Sequence, residues 1–226
     1  MSDVQAMLAR LQPRALYLEG VRVFETEVYR PSMLRQLDYL RENYAAFVGS
    51  PHVRGYGTQL SLLGFPETKP ANLKLIDRCL EQGPLSINNV VDAYNVAALT
   101  YGASLGGHAL EQRPAALELR LARPGERILP LFQSRTRPIA AGSLVYGIGA
   151  EVLACIGSRD VDADDFRITE ATQGLLLVSL GHADTGAEFN AQVLELALEL
   201  VKITCPAVQA WPVPVTIGAA SVAAPA

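Results

Sequence analysis

The stretch Ser86-Ile-Asn-Asn-Val-Val-Asp-Ala-Tyr-Asn-Val-Ala-Ala-Leu-Thr-Tyr-Gly102 decides how the middle of this chain folds. Its apolar side chains recur at the spacing of a helix, and Gly102 is the residue type that ends helices in the left-handed conformation. Asn89 is a good N-cap, because its side-chain oxygen can accept a hydrogen bond from a free amide of the first turn. Asp92 follows three residues later, where a carboxylate can reach back to the cap. We therefore predict a helix that begins at Asn89 and ends before Gly102.

The residue before this predicted cap, Asn88, has no role in the helix itself. Two adjacent side chains cannot both cap one helix, so Asn88 is free to bind a carbonyl or hydroxyl group of a ligand. The first amides of a helix are also unpaired and attract polar groups. We expect Asn88 to face a pocket at the helix N-terminus, with Asn89 beside it. A structural interpretation stays open, since capping alone accounts for Asn89 and Asp92.

The rest of the sequence predicts helices first, then a run of strands, then a closing helix. Further helices are indicated at 4–12, 30–48, 69–83 and 187–203, and strands at 116–122, 128–132, 143–146, 151–156 and 175–180. The glycine-rich segment 49–66 is predicted to be a loop, and residues 16–28 a strand or hairpin. This order is typical of an α+β fold with mixed or antiparallel sheets and packed helices.

Composition indicates an ordinary globular protein. The chain has 226 residues, of which 50% are hydrophobic and 19% charged. We divide it into an N-terminal helix (1–14), a main domain (15–205) and a Pro/Ala-rich tail (206–226) that is either poorly ordered or docked along the body. The sequence shows no secretory signal and no apolar run long enough to cross a membrane, so we expect a cytoplasmic protein. The oligomeric state is left open.

Metal and disulfide chemistry are not indicated. Cys79, Cys155 and Cys205 are far apart and odd in number, which argues against a disulfide framework or a thiolate cluster. The run Asp160–Asp164 resembles a calcium loop only superficially. Its sixth position is Asp165 rather than glycine, and its twelfth is Ala171 rather than glutamate. We expect an exposed acidic loop, no metal and no cofactor.

The run INNVVDAYNVAALTYG, followed by Leu105-Gly-Gly107, resembles the B3/B4 domain of the phenylalanyl-tRNA synthetase beta chain. The resemblance continues through Arg120–Glu126, Gly142–Tyr146 and Arg167–Thr172, and covers about residues 15–200 in the same order. It implies an α+β editing domain that hydrolyses wrongly charged aminoacyl-tRNA without a protein nucleophile. The other modules of the synthetase chain are not seen, so the resemblance implies a freestanding version.

The resemblance also implies a set of catalytic residues, with one departure from the family. A histidine sits at the position of Gly106 in synthetase domains of this kind, whereas this chain has His108 two places later. His108 could take that role through a shifted loop, and we name it with Asn88 as a candidate catalytic residue. Gly106 and Gly107 would let backbone amides approach a substrate.

The substrate pocket is implied in the same way. Ala154 and Cys155 align with a pocket wall of the family. Val178 stands where domains that reject tyrosine have a glutamate to hold the phenol hydroxyl. A buried valine cannot hold a hydroxyl group, so a pocket of this kind would prefer a different amino acid. With Asn89, Gly106 and Gly107, these three residues complete the candidate substrate-binding set.

Charge and the missing family residues keep other functions open. A net charge of −4 argues against tight independent binding of tRNA. The chain could therefore be a non-catalytic module that binds an amino acid or a protein partner, or an enzyme that passes an aminoacyl group from tRNA to a small acceptor. Six arginines between residues 112 and 140 form either an RNA-facing rim or solvated strand edges. They are Arg113, Arg120, Arg123, Arg127, Arg135 and Arg137.

Overall fold

The structure is a computed structural model in which residues 3–218 are described. Within that range, helices and strands occur together, and their order along the chain gives the α+β fold class that the sequence predicts. The helices are α1 (Asp3–Arg10), α2 (Arg30–Gly49), α3 (Pro51–Leu62), α4 (Ala71–Gln82), α5 (Asn89–Tyr101) and α6 (Ala187–Thr204). The strands are β1 (Arg14–Glu19), β2 (Leu105–Ala109), β3 (Leu117–Leu121), β4 (Arg127–Ile128), β5 (Arg137–Pro138), β6 (Leu144–Ile148), β7 (Glu151–Ile156), β8 (Val161–Asp162), β9 (Gly174–Ser179), β10 (Gln209–Val213) and β11 (Val215–Ile217).

The strands form two main sheets and a short hairpin. The first sheet has the order β10-β1-β9-β2 and is antiparallel throughout. The second has the order β11-β3-β6-β7-β8, in which only the β11–β3 pair among these strands is parallel. Strands β4 and β5 pair with each other as the hairpin. In the two main sheets, β2 and β8 are therefore edge strands.

Strand β9 holds the layers together, because its residues are buried on both faces. Leu175 and Leu177 pack into a core shared with helices α2, α4, α5 and α6. Leu176 and Val178, on the opposite face, pack into a second core shared with β3, β6 and β7. Since side chains alternate along a strand, one apolar run serves both cores. The result is three layers: helices, first sheet, second sheet.

The segment 49–66 is not the loop that its glycines predict, since most of it forms α3. Ser50 is extended (φ −66°, ψ 146°) and breaks the chain from α2, and Pro51 then starts the new helix. Gly55 is needed for packing rather than for flexibility. A Cβ atom there would lie 2.0 Å from Cε1 of the His182 ring. Glycine therefore lets α3 approach the turn after β9.

The chain after residue 205 contributes to both sheets. Strand β10 pairs with β1, and β11 pairs with β3 across residues 215–217. Of the two alternatives predicted for the tail, residues 206–218 therefore follow the second, because they pack along the body of the domain. Residues 219–226 of the predicted tail lie outside the described part of the chain. The boundaries predicted at residues 14 and 205 stay a prediction.

Membrane insertion through a helix has no support in the described part of the chain. Across residues 3–218, every helix is too short or too polar to cross a bilayer.

Candidate functional site

A cavity of about 280 Å³ lies between the edge strands β2 and β8, where the two sheets meet. Helix α3 covers it, and the start of α4 closes one side. Its wall combines many apolar side chains with a few polar ones, as in small-molecule sites. The lining residues are Tyr56, Gln59, Leu60, Pro70, Ala71, Ser104, Leu105, Gly106, Leu131, Tyr146, Ala154, Ile156, Asp160, Val161, Asp162, Val178 and Leu180.

Three of the predicted substrate-binding residues line this cavity: Gly106, Ala154 and Val178. Gly106 of β2 pairs directly with Val178 of β9. A Cβ atom at position 106 would lie 2.1 Å from the hydroxyl of Tyr146. A histidine there, as in the synthetase domains that the chain resembles, would displace that hydroxyl. The space of the missing side chain is thus occupied by Tyr146.

His108 reaches the cavity only through Tyr146. Its Nε2 atom lies 2.8 Å from the Tyr146 hydroxyl, and its Nδ1 has no hydrogen-bond partner within residues 3–218. Burial lowers the pKa of His108 to about 3, so the ring is uncharged near neutral pH. Burial also raises the pKa of Tyr146, with smaller effects from Asp162, Asp160 and Tyr94. His108 therefore orients Tyr146 and does not itself contact a molecule in the cavity.

Two carboxylates of the predicted acidic loop lie on the cavity wall rather than on an exposed loop. Asp160 Oδ2 accepts a hydrogen bond of 2.8 Å from the backbone N–H of Ala71, at the N-terminus of α4. Asp162 lies two residues further along the chain. Burial, and next the charge of Asp160, raise the pKa of Asp162 to about 7. Asp162 still keeps some accessible surface, because its side chain borders the empty space of the cavity.

Helix α3 contributes two buried polar groups without partners. The side chains of Gln59 and Tyr56 are only 3% and 5% exposed. Gln59 Oε1 has no hydrogen-bond partner among the described residues. The Tyr56 hydroxyl lies near the backbone amide of Ser104 without reaching hydrogen-bonding geometry. Unpaired buried polar atoms cost about 1–3 kcal/mol each, so these two are expected to have a function in ligand binding.

The two asparagines of the predicted site have structural roles instead. Asn88, not Asn89, is the N-cap of α5, and its Oδ1 accepts from the amides of Val90 and Val91 at 3.1 and 2.8 Å. Asn89 is the first helical residue and is buried. Its Oδ1 accepts from the Phe24 amide at 2.9 Å. The prediction that Asn89 caps the helix is therefore wrong by one residue.

The remaining contacts of Asn89 tie three segments together. Its Nδ2 donates to the carbonyl of Arg22 at 2.8 Å and to Thr204 Oγ1 at 3.0 Å, at the end of α6. Asp92 reaches back as predicted, but to the amide of Ile87 at 3.0 and 3.2 Å. Burial raises the pKa of Asp92 to about 6.

Helix direction explains why Asn88 and Asn89 do not line the cavity. Helix α5 ends at Gly102, in the left-handed conformation that the sequence predicts (φ 60°). The chain then enters the cavity wall through Ser104 and Leu105. A 13-residue helix is about 20 Å long, so the asparagines lie at the wrong end. For this reason Asn88 does not line this cavity, although the sequence predicts that it faces a pocket.

Gly107 and Cys155 point away from the cavity, because alternate residues of a strand face opposite sides. A Cβ atom at Gly107 would lie 2.7 Å from the ring of Tyr94 on α5. Cys155 packs in a small cluster with Ile128, Val145 and Ala163 behind the second sheet. Neither residue is among the cavity lining, so their predicted contact with substrate is not supported by the geometry.

Sequence reasoning missed most of the polar lining. Tyr146 belongs to the segment Gly142–Tyr146, for which the resemblance implies no role. The sequence of Asp160 and Asp162 predicts an acidic loop, although their alternation with Val161 is also the pattern of a strand with a polar face. Gln59 and Tyr56 lie in a segment predicted to be a loop. A helix prediction there would have placed them three residues apart, on one face.

The predicted basic rim is only partly a surface feature. Arg120 has just 7% of its side chain exposed and pairs with Glu118 and Glu126. In contrast, Arg127 and Arg137 lie exposed on the β4–β5 hairpin. The connection between those strands also includes Leu131 of the cavity wall and exposed Arg135. A basic surface thus adjoins the cavity.

No group of three or more His, Cys, Asp or Glu side chains within residues 3–218 is placed to hold a metal ion. The cavity carboxylates, Asp160 and Asp162, are only two.

Comparison with known proteins gives a matching family and similar solved structures. The sequence model of the B3/4 domain family matches residues 60–199. No curated protein matches the chain. Among solved structures, it is similar to an N-terminal fragment of the phenylalanyl-tRNA synthetase beta-subunit from Pyrococcus horikoshii, with 11% identity and a TM-score of 0.49. That match covers 91% of this chain and 48% of the fragment, so this chain spans about half of the fragment's length.

Proposed function

Since the chain belongs to the B3/4 domain family, we propose that it hydrolyses the ester bond between an amino acid and the 3′ end of a tRNA. The observation that carries this proposal is the cavity between β2 and β8. Its volume of about 280 Å³ suits an aminoacyl group. The hydroxyl of Tyr146 lies among its mostly apolar lining residues.

The proposed reaction needs a positioned water and a donor for the developing oxyanion. Water adds to the carbonyl carbon, the bond from that carbon to the ribose oxygen breaks, and a carboxylate, a ribose hydroxyl and a proton result. An aminoacyl ester is already activated, so geometry supplies much of the acceleration. Tyr146 is the proposed donor. When His108 carries its proton on Nε2, it donates to the Tyr146 oxygen and leaves the phenol O–H free to point into the cavity.

The apolar wall favours a substrate with an apolar body. Val178, Leu180 and Ile156 line the cavity, and Val178 offers no partner to a phenol hydroxyl. Because residue 178 is a valine, we still predict that the protein releases tyrosine from tRNA poorly. The candidate catalytic role of His108 becomes one of positioning, through Tyr146.

RNA binding is proposed for the exposed face of the β4–β5 hairpin. Arg127, Arg135 and Arg137 lie close in sequence to Leu131 of the cavity wall. Arginines contact phosphates, and such contacts weaken as the salt concentration rises, because the release of counterions from the RNA then gains less free energy. With a net charge of −4 on the whole chain, affinity for tRNA should be weak and strongly salt-dependent.

A second candidate is a non-catalytic module that binds an amino acid. The two carboxylates on the cavity wall favour it, because Asp160 and Asp162 repel the phosphates of a tRNA end. The negative net charge favours it as well.

Release of the amino acid from a panel of charged tRNAs at low salt tests the proposal. Wild type should release at least one amino acid, and Tyr146→Phe should slow release about 10²-fold, as for loss of an oxyanion donor. Tyr39→Phe is the matched control, since Tyr39 is an exposed tyrosine on α2 away from the cavity lining. Failure to release any amino acid would overturn the hydrolase and leave the binding module.

A further inference from the structure

We infer that Asp160 and Asp162 form a binding site for a protonated amine inside the cavity. If the proposed function holds, on which this identification of the ligand rests, the amine is the α-ammonium group of the aminoacyl substrate. Asp162 would be its direct counter-ion, and Asp160 a fixed second charge. The positions, partners and surroundings of these two side chains support the inference.

Asp160 is held in place at the N-terminus of a helix. Its Oδ2 accepts from the Ala71 amide at 2.8 Å, at the N-terminus of α4. The unpaired amides of a helix N-terminus favour a negative charge there. Burial raises the pKa of Asp160, whereas the charge of Lys74, one turn into α4, and the hydrogen bond from Ala71 lower it. The helix therefore orients Asp160 and offsets part of the cost of burying its charge.

Asp162 lacks such compensation. Its backbone carbonyl accepts from the Leu131 amide at 2.9 Å, but its carboxylate accepts no hydrogen bond and pairs with no cation within residues 3–218. The ionisable groups that face it are Asp160 on the same segment, Tyr94 on α5 and Tyr146 on β6. Burial raises the pKa of both tyrosines, so they are uncharged near neutral pH and cannot offset its charge. A cationic ligand would supply the missing partner.

Independent evidence for a polar ligand comes from helix α3, which also lines the cavity. Gln59 Oε1 and the Tyr56 hydroxyl are more than nine-tenths buried, line the same cavity and have no hydrogen-bond partner among the described residues. They belong to α3, whereas Asp162 belongs to β8 and Asp160 directly precedes that strand. The cavity thus offers hydrogen-bonding groups from two different elements in an otherwise apolar space, as a ligand with an amine and a further polar group would require.

An amine accounts for this arrangement better than a metal ion. Ca²⁺ takes six to eight oxygen ligands, and Mg²⁺ about six. The two carboxylates have no third acidic or histidine neighbour placed for a metal within residues 3–218. An ammonium group has three donors and a single charge, which two carboxylates can satisfy with one more acceptor.

The test compares each ligand with an uncharged counterpart of almost the same shape. The probes are amino-acid amides and the corresponding α-hydroxy-acid amides, screened by thermal shift and measured by calorimetry. At least one amino-acid amide should bind the wild type, and its hydroxy counterpart should bind roughly tenfold more weakly or worse. Asp162→Asn should remove that preference. Asp165→Asn, an exposed carboxylate three residues away, should keep it.

The pH dependence on wild-type protein needs no variant. Because the pKa of Asp162 is about 7 in the free protein, affinity for the amine probe should rise from pH 6 to pH 7.5 as Asp162 ionises. The hydroxy-acid amide should show no such rise. Addition of CaCl₂ or MgCl₂ should not stabilise the protein in place of the amine.

Failure of this inference and failure of the proposed function give different results. Equal release from aminoacyl-tRNA and α-hydroxyacyl-tRNA, with equal binding of the two amides, would overturn amine recognition but keep the hydrolase. Selective binding of the amino-acid amide, without release from any tRNA, would keep amine recognition and overturn the hydrolase. Stabilisation by Ca²⁺ or Mg²⁺ without preference for the amine would replace the amine site with a metal site.

Discussion

The N-terminal end of α5 and the cavity between β2 and β8 both contain buried polar side chains, but they treat them differently. At the helix end, Asn88 and Asn89 have their oxygens paired with backbone amides, and Asn89 also donates to Arg22 and Thr204. In the cavity, Gln59 Oε1 and the Tyr56 hydroxyl have no hydrogen-bond partner among residues 3–218. Because a native structure seldom leaves a buried polar group unpaired, the first region is scaffold and the second is the candidate site.

The largest effect is expected from Asn89→Ala at the helix end. The substitution leaves the Phe24 amide and the Arg22 carbonyl without their partner, so stability should fall by about 3 kcal/mol. Urea unfolding measures it, with Asn43→Ala as the control, since Asn43 is only half-buried and, within residues 3–218, its side chain bonds only the Tyr39 carbonyl. If the comparison of regions holds, ligand binding by the remaining folded protein is unchanged. Loss of binding at unchanged stability would assign Asn89 to the site.

The next effect concerns Gly106→Ala, on the cavity wall. The new Cβ atom would lie 2.1 Å from the Tyr146 hydroxyl and 2.9 Å from His108 Nε2, so both must shift. Overpacking of this kind costs about 1–3 kcal/mol. Release of the amino acid should fall with it, because Tyr146 loses its position. Gly186→Ala is the control, since a Cβ atom there meets no heavy atom within 4 Å. Full activity of Gly106→Ala would argue that Tyr146 has no part in the reaction.

The fold was more predictable from the sequence than the site. The family was predicted from a continuous motif around Asn88 and is confirmed, and α5 and β9 follow from local patterns of apolar residues. The cavity joins α3, β2 and β8, which lie about 50 residues apart along the chain, and no local pattern reports such contacts. The choice between Asn88 and Asn89 as cap depended on the backbone angles of one residue. The helix direction then decided which end of α5 meets the cavity.

A smaller effect, with a pH signature, is expected from Asp162→Asn. The pKa of Asp162 is about 7 in the folded protein and near 3.8 when unfolded. Between these values the folded state holds a proton that the unfolded state has lost, so wild-type stability falls as pH rises through this range. Asparagine cannot ionise, and the variant should gain about 1.5 kcal/mol over wild type at pH 8, after allowance for the water that reaches the cavity.

Melting temperatures of wild type, Asp162→Asn and Asp165→Asn at pH 4, 6 and 8 measure this effect. The gain of Asp162→Asn should be near zero at pH 4 and largest at pH 8, and Asp165→Asn should show no such trend. A gain that is the same at every pH would mean that Asp162 is not a buried, uncompensated acid.

The smallest effect on stability is expected at Gln59, and it separates the two regions most sharply. Gln59→Met keeps the length of the side chain and removes an oxygen that has no partner among residues 3–218. Removing an unpaired buried polar group is near neutral or stabilising, so stability should change by less than about 1 kcal/mol. Asn89→Ala, which removes a paired group, should instead lower stability strongly.

If Gln59 Oε1 accepts a hydrogen bond from the ligand, affinity for the ligand should fall roughly tenfold in Gln59→Met. Calorimetry with the amide that binds wild type measures this. Gln192→Met, on the outer surface of α6, is the matched control. Strong destabilisation of Gln59→Met with unchanged affinity would place Gln59 with Asn89 in the scaffold, and the difference between the two regions would disappear.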